Sequence, residues 1–242
     1  MLWNLLRSEG IKLRKSKIGL LAFISPALAT LIGFTSHMDM ANNAWLNPMS
    51  MMIQLHAVLF LPLLTGVLSA FVCRYEHQNG GWKQLVALPA PRWKIYLSKG
   101  VIVASILVIT QFLFLLGWLD IGWTQGYTDP FPIDMALKSI LGGWLACLPL
   151  AALQLWVSTA WASFAAPLAL NVILTLPNML IANSEDFGPW YPWAQPFLTM
   201  MPQTEGTYGA FYVPVETLVV TIGGSFLVFL IGGLVYFRRK TI

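Results

Sequence analysis

Apolar residues gather into six runs separated by short polar stretches: approximately Ile18 to Thr35, Met51 to Cys73, Gly100 to Leu119, Ser139 to Ala160, Ala162 to Ile181 and Thr217 to Phe237. A helix rises about 1.5 Å per residue, so a run of about twenty matches a hydrocarbon core about 30 Å thick. No Asp, Glu, Lys or Arg interrupts any of the six. The pattern predicts an all-α polytopic membrane protein of about six transmembrane helices, forming one domain over residues 1–242. The first run has a basic flank and an Ala27-Leu28-Ala29 tripeptide, the outline of a cleavable signal. Apolar sequence continues past the tripeptide, which favours a retained helix.

Two polar stretches carry patterns of their own. On a helical wheel of residues 2–15, Leu2, Trp3, Leu5, Leu6 and Leu13 share one face, while Asn4, Arg7, Ser8, Arg14 and Lys15 take the other. That predicts an amphipathic helix lying in the membrane interface. Glu9 falls in the middle of the apolar face, where an unpaired carboxylate is expensive. It needs a basic or amide partner, unless the helix frays and leaves it in water. In the second stretch, Asn79-Gly80-Gly81 breaks the preceding helix, Trp82, Leu85 and Leu88 recur at about one-turn spacing, and Pro89-Ala90-Pro91 ends the segment. A short helix with an apolar edge results. The residues alone leave two readings open, a helix lying on lipid or one displayed to a partner.

Composition agrees with a lipid-facing surface: 57% of the 242 residues are hydrophobic and 10% charged, against about a quarter charged in a soluble domain. The charges sort by side. Arg7, Lys12, Arg14, Lys15 and Lys17 precede the first run, Arg74, Lys83, Arg92, Lys94 and Lys99 lie between the second and third, and Arg238, Arg239 and Lys240 follow the last. Only Lys138 is left for the other side, which holds Asp39, Asp120, Asp129, Asp134, Glu185, Asp186, Glu205 and Glu216. The positive-inside rule makes the basic face cytoplasmic, with both termini there, in a multi-pass protein of the plasma membrane. The basic residues flank apolar runs instead of interleaving with exposed aromatics, which argues against nucleic acid.

Catalytic chemistry is sparse. Cys73 and Cys147 form neither a disulfide framework nor a metal site, and His56 alone is no metal site. The spans lack the ionisable groups on which proton-coupled carriers and many intramembrane hydrolases depend. Gln54, His56, Gln111, Gln154, Asn171 and Asn178 are expected to bond between helices. Gly223, Gly224, Gly232 and Gly233 permit close helix approach, and Pro62, Pro149, Pro167 and Pro177 kink other spans. No G-x-x-x-x-G-K-[ST] occurs, so any ATP motor is a separate chain. An intramembrane enzyme or a scaffold subunit remains the alternative class.

Ser8-Glu9-x-x-Lys12 with its following basics, then Glu76, Gly80-Gly81, Leu85, Leu88-Pro89, Arg92 and Lys99, resemble permease subunits of ABC-2 type ABC transporters. The resemblance implies that Glu9 and Lys12 belong to an interfacial connecting helix. It further implies that Glu76, Gly80, Gly81, Trp82, Leu85, Leu88, Pro89 and Arg92 belong to the segment that couples to cytoplasmic P-loop ATPase subunits. Trp82 stands where many members have Thr. ATP and Mg would bind the partner ATPase, this chain holding no cofactor, and a second copy or a related permease would complete the transporter. The compact chain and Pro189-Trp190-Tyr191-Pro192-Trp193-Ala194-Gln195-Pro196 look most like lantibiotic self-protection (immunity) permeases, which expel an antimicrobial peptide. In that reading Trp190, Tyr191 and Trp193 are candidate substrate contacts; export of another drug, lipid or ion is the neighbouring reading.

Overall fold

The computed structural model describes residues 2–36, 44–78, 80–202 and 213–241, and all the regular elements among them are helical. Asp39, Asn79 and Glu205 lie outside the described residues. Helix α1 (Leu2–Ser16) meets the next helical run at 78°, the sharp turn expected where an interfacial helix passes into a span. Lys17 makes the corner with φ 56° and ψ 11°, a left-handed conformation that costs a non-glycine residue about 1 kcal/mol. A 3₁₀ turn at Ile18–Leu20 leads into α2 (Leu21–Gly33). Leu5 and Glu9 of the predicted apolar face are buried, and α1 packs on α6, whereas Trp3 of that face is exposed.

Next, α3 (Leu46–Leu55), a π-helical turn (His56–Phe60) and α4 (Leu61–His77) form one rod of 32 residues. The short α5 (Gly81–Ala87) precedes α6 (Arg92–Thr124) and α7 (Ile133–Ala160). Then come α8 (Ala165–Thr175), α9 (Asn178–Ile181), a 3₁₀ turn (Gly188–Trp190), α10 (Gln195–Met200) and α11 (Val215–Arg239).

All six apolar runs contain helix, but among the described residues four helical runs are long and apolar enough to cross a bilayer unaided: Leu46–His77, Arg92–Thr124, Ile133–Ala160 and Val215–Arg239. The first run gives a helix of only about 24 Å over Ile18–Gly33 and becomes a fifth crossing when joined to α1 across the bend. The fifth run stays short because Pro177, which has no N–H to donate, interrupts it between α8 and α9.

The bundle has two chemically distinct ends. At one, α1, the end of α4, the start of α6 and the end of α11 meet, so the basic flanks and the two chain ends lie together. At the other, Trp45 sits edge-on to Trp118, Tyr127 and Phe131, Trp118 Nε1 donates to Trp45 O at 3.1 Å, and Gln125 donates to Phe34 O. Asp120, Asp129 and Asp134 lie at this second end.

Residues 188–200, between the fifth and sixth apolar runs, fold into the second end as a plug. Trp193, Phe197, Leu198 and Met200 are buried, with α10 packed on α7 and on the π-helical turn. Ser139 Oγ donates to Met200 O at 2.8 Å, and Gln111 Nε2 reaches Met200 Sδ at 3.4 Å.

Of the six polar residues of the spans, five bond between elements; Gln54 is exposed. Ser25 Oγ and His56 Nδ1 are 2.6 Å apart, Gln154 donates to Asn171, and Asn171 Nδ2 donates to Pro62 O at 2.9 Å. Asn178 Nδ2 donates to Val58 O at 2.7 Å and to Trp193 O at 2.9 Å. Val58 O needs that donor because Pro62, four residues on, has no N–H to give it.

The pairing yields a double-mutant test. Asn178→Ala should lower the unfolding temperature of the detergent-solubilised protein by orphaning Val58 O. In a Pro62→Ala background, where residue 62 regains a donor, the loss should shrink by about 0.5–1 kcal/mol. Equal losses in both backgrounds would show that the two residues do not share this carbonyl.

Candidate functional site

Four charged side chains meet at the basic end. Glu9 and Lys12 come from α1, Glu76 from the last turn of α4, and Lys99 from the second turn of α6. Lys12 Nζ lies 2.8 Å from Glu9 Oε1 and 2.7 Å from Glu76 Oε1. Lys99 Nζ lies 3.1 Å from Glu9 Oε2 and 2.9 Å from Glu76 Oε1, and donates to Val72 O at 2.6 Å. Lys99 is fully buried and Glu76 is 2% exposed. Two carboxylates and two ammonium groups balance, which is the condition for removing such groups from water. Burial pulls the Lys12 pKa down, but the Glu9 and Glu76 carboxylates outweigh it and hold the ammonium above its ordinary value. The partner that Glu9 was expected to need is thus Lys12 together with Lys99.

Next to this quartet the chain turns into α5. Gly80 caps the helix with φ 70°, a left-handed conformation that glycine adopts without steric cost. At Gly81 a Cβ would lie 2.7 Å from the Glu76 Cα and 2.8 Å from Tyr75 O, so α5 can start this close to α4 only with glycine there.

Trp82 points inward. It is 6% exposed, its ring centroid 5.2 Å from Phe237 of α11 and 5.5 Å from His77 of α4. Lys99 Nζ and Lys240 Nζ stand 5.6 and 5.7 Å from the ring, in cation–π range. Its Nε1–H donates to His77 Nδ1 at 3.3 Å, so His77 carries its proton on Nε2, which donates to Ser158 O at 2.7 Å. Lys240 Nζ donates to Thr159 O. One indole therefore joins α5 to α4, α6 and α11, and to α7 through His77 and Lys240.

The residues expected to face a partner divide accordingly. Trp82 and Glu76 are internal, which corrects the expectation that Trp82 sits on the outer edge with Leu85 and Leu88. A seven-residue helix folded back onto four helix ends buries its aromatic, because no other position on it offers comparable apolar area. Leu85 is half-buried against the core, whereas Leu88 is 46% exposed and Pro89 exposed, with Lys83, Gln84 and Ala87 beside them. Arg92 Nη1 donates to Arg238 O at 3.0 Å and Lys240 O at 2.9 Å, capping the carbonyl end of α11.

The aromatic stretch near the second end also divides. Trp190 is 68% exposed and Phe187 similarly open. Tyr191 is half-buried and donates its hydroxyl to Leu174 O. Trp193 is 4% exposed, with Nε1 donating to Asn171 Oδ1 at 2.9 Å, so it is a core residue of the plug.

Sequence reasoning missed His77, Ser158 and Phe237. Phe237-Arg238-Arg239-Lys240 reads as a helix end with a topology signal, and nothing local shows that Phe237 receives a tryptophan from 155 residues upstream.

Residues 5–178 match a family model described as ABC-2 family transporter protein. No curated protein matches the chain. The match includes α1 to α8 and hence the quartet and α5, while α11 lies beyond it.

Removing one member of the quartet leaves the others buried and unbalanced. Lys99→Met should destabilise the solubilised protein by about 3–5 kcal/mol. Adding Glu76→Gln should recover part of that loss, because Glu9 and Lys12 then remain as a balanced pair. Thermal unfolding measures both, and a double variant less stable than Lys99→Met would contradict a charge-balanced cluster.

Proposed function

The chain belongs to the ABC-2 family of transporter proteins, and as such a membrane permease we propose that it serves an exporter in which α5 receives the stroke of a cytoplasmic P-loop ATPase. The basic end is then the cytoplasmic end. ATP and Mg bind the motor subunits, and the permease works beside a second copy of itself or a related permease. The observation that carries this reading is the Trp82 wedge. Lys83, Gln84, Ala87, Leu88 and Pro89 form the outward face of α5, while the inward face lodges one aromatic among the ends of several spanning helices. A force on the outer face is delivered to Phe237 and His77 without an intervening flexible loop. Motor closure thereby biases the packing of α4, α6 and α11 between two arrangements.

For the cargo, we favour an antimicrobial peptide expelled from the membrane, as in lantibiotic self-protection. Support comes from the resemblance noted above and from Phe187 and Trp190, large aromatics exposed at the start of the plug, at the end opposite α5. Interface anchoring is the competing use of such residues.

Co-expression with the ATPase separates docking from transmission. Leu88→Asp alters an exposed side chain, so the permease should still fold and insert while its association with the ATPase weakens by roughly tenfold or more. Trp82→Ala should retain the ATPase but lose most transport-linked resistance. Full resistance with both variants would remove α5 from the coupling path.

The orientation and the cargo are tested in intact cells. Single cysteines at Thr128 and Asp186 should react with an impermeant maleimide, and one at Lys83 should not; the reverse pattern would invert the topology. Trp190→Ala should reduce peptide resistance at unchanged expression. Unchanged resistance would assign the exposed aromatics to anchoring.

A further inference from the structure

Beside the charge quartet lies a cavity of about 460 Å³ between α4 and the connection from α7 to α8, lined in part by Arg74, Gln78, Ser158, Trp161, Ser163 and Phe164. Three features give it a chemistry. First, Arg74 makes no ion pair or hydrogen bond among the described residues. Its guanidinium lies 5.2 Å from the Phe164 ring, and both acids of this end, Glu9 and Glu76, are engaged by Lys12 and Lys99. Second, Ser158 is 2% exposed and its hydroxyl has no partner. Serine in a helix ordinarily bonds back to its own backbone, as neighbouring Thr159 does to Trp156 O at 2.8 Å. Ser158 does not, and a buried hydroxyl left unbonded is costly. Third, the first turn of the eleven-residue α8, capped by Phe164, opens on the cavity rim and adds its partial positive charge.

A guanidinium without a carboxylate, a buried hydroxyl without an acceptor and a helix N-terminus all seek the same thing, an anionic group with several acceptor oxygens. We propose that this cavity binds a phosphate ester, with Arg74 pairing to two of its oxygens and the Ser158 Oγ–H donating to a third. Trp161, 45% exposed, and the Phe164 ring give the rim an apolar side. The cavity lies where the basic flank meets the apolar runs, so a lipid of the adjoining leaflet can present its headgroup with its chains against that side. A soluble phosphate has the same oxygens without the chains.

The test uses the full chain in detergent and native mass spectrometry. Dioleoylphosphatidylglycerol should bind at one saturable site, whereas dioleoylglycerol, which has the same chains and no phosphate, should not. Arg74→Gln and Ser158→Ala should each weaken binding by roughly tenfold or more, the usual effect of losing a hydrogen bond to a charged group. Ser158→Ala should not lower the unfolding temperature of the lipid-free protein, since its hydroxyl bonds nothing there, so it reports on the site even if Arg74→Gln folds poorly. If inorganic phosphate at millimolar concentration binds alone, displaces the lipid and is weakened by the same variants, the phosphate site stands and its source is soluble. Undiminished lipid binding in both variants, or equal binding of dioleoylglycerol, would overturn it.

Discussion

No buried member of the Glu9, Lys12, Glu76 and Lys99 cluster can stay charged in its place without an opposite charge beside it. Three of the four are almost wholly out of water, and the desolvation of each is recovered only through opposite charges about 3 Å away. The demand brings together the end of α1, the last turn of α4 and the second turn of α6. Because Glu76 and Lys99 bracket the segment that contains α5, the cluster also anchors both bases of that segment. Between them α5 itself has one buried side chain, Trp82, and an open outer face. A rigid footing under a short projecting helix follows from charge neutrality alone.

A second constraint works at the other end. Backbone groups withdrawn from water require partners, and the π-helical turn, Pro62 and Pro177 all disturb the regular ladder. The plug of residues 188–200 and the helices beneath it supply partners: Asn178 donates to Val58 O, which Pro62 cannot serve, Asn171 donates to Pro62 O, and Trp193 donates to Asn171. Non-helical backbone is admitted at this depth because it is enclosed by protein. Asn178, expected simply to glue helices together, therefore repairs a carbonyl that proline leaves open, while Asn171 ties α8 to α4 and to the plug.

Much of this was legible in the chain. Six apolar runs, the amphipathic α1 and the bounds of α5 follow from periodicity and from the Gly80-Gly81 and Pro89-Ala90-Pro91 breaks. The need of Glu9 for a counter-charge follows from its position among leucines. Its second partner does not, since Lys99 is 90 residues away and reads equally well as a topology signal. The inward turn of Trp82 was hidden because seven residues make too few turns to define a buried face. The plug was hidden because a segment rich in proline and aromatics has the composition of an interfacial loop, and only its partners on α7 and α8 distinguish the two. Span length failed where Pro177 cuts a helix that hydropathy alone would continue.

The order in which the chain is made gives the cluster a temporal dimension. Glu9 and Lys12 leave the ribosome long before Glu76, and Lys99 follows later still. During that interval α1 holds a carboxylate that has only Lys12 for company, and its apolar face has no α6 to cover it. The N-terminal helix must therefore wait at the membrane surface, and it can settle only when the third long stretch has entered the bilayer and delivered Lys99. Assembly is thus checked from the far side of the first loop: α1, made before α4 and α6, docks after them, and its docking certifies that the two are already side by side.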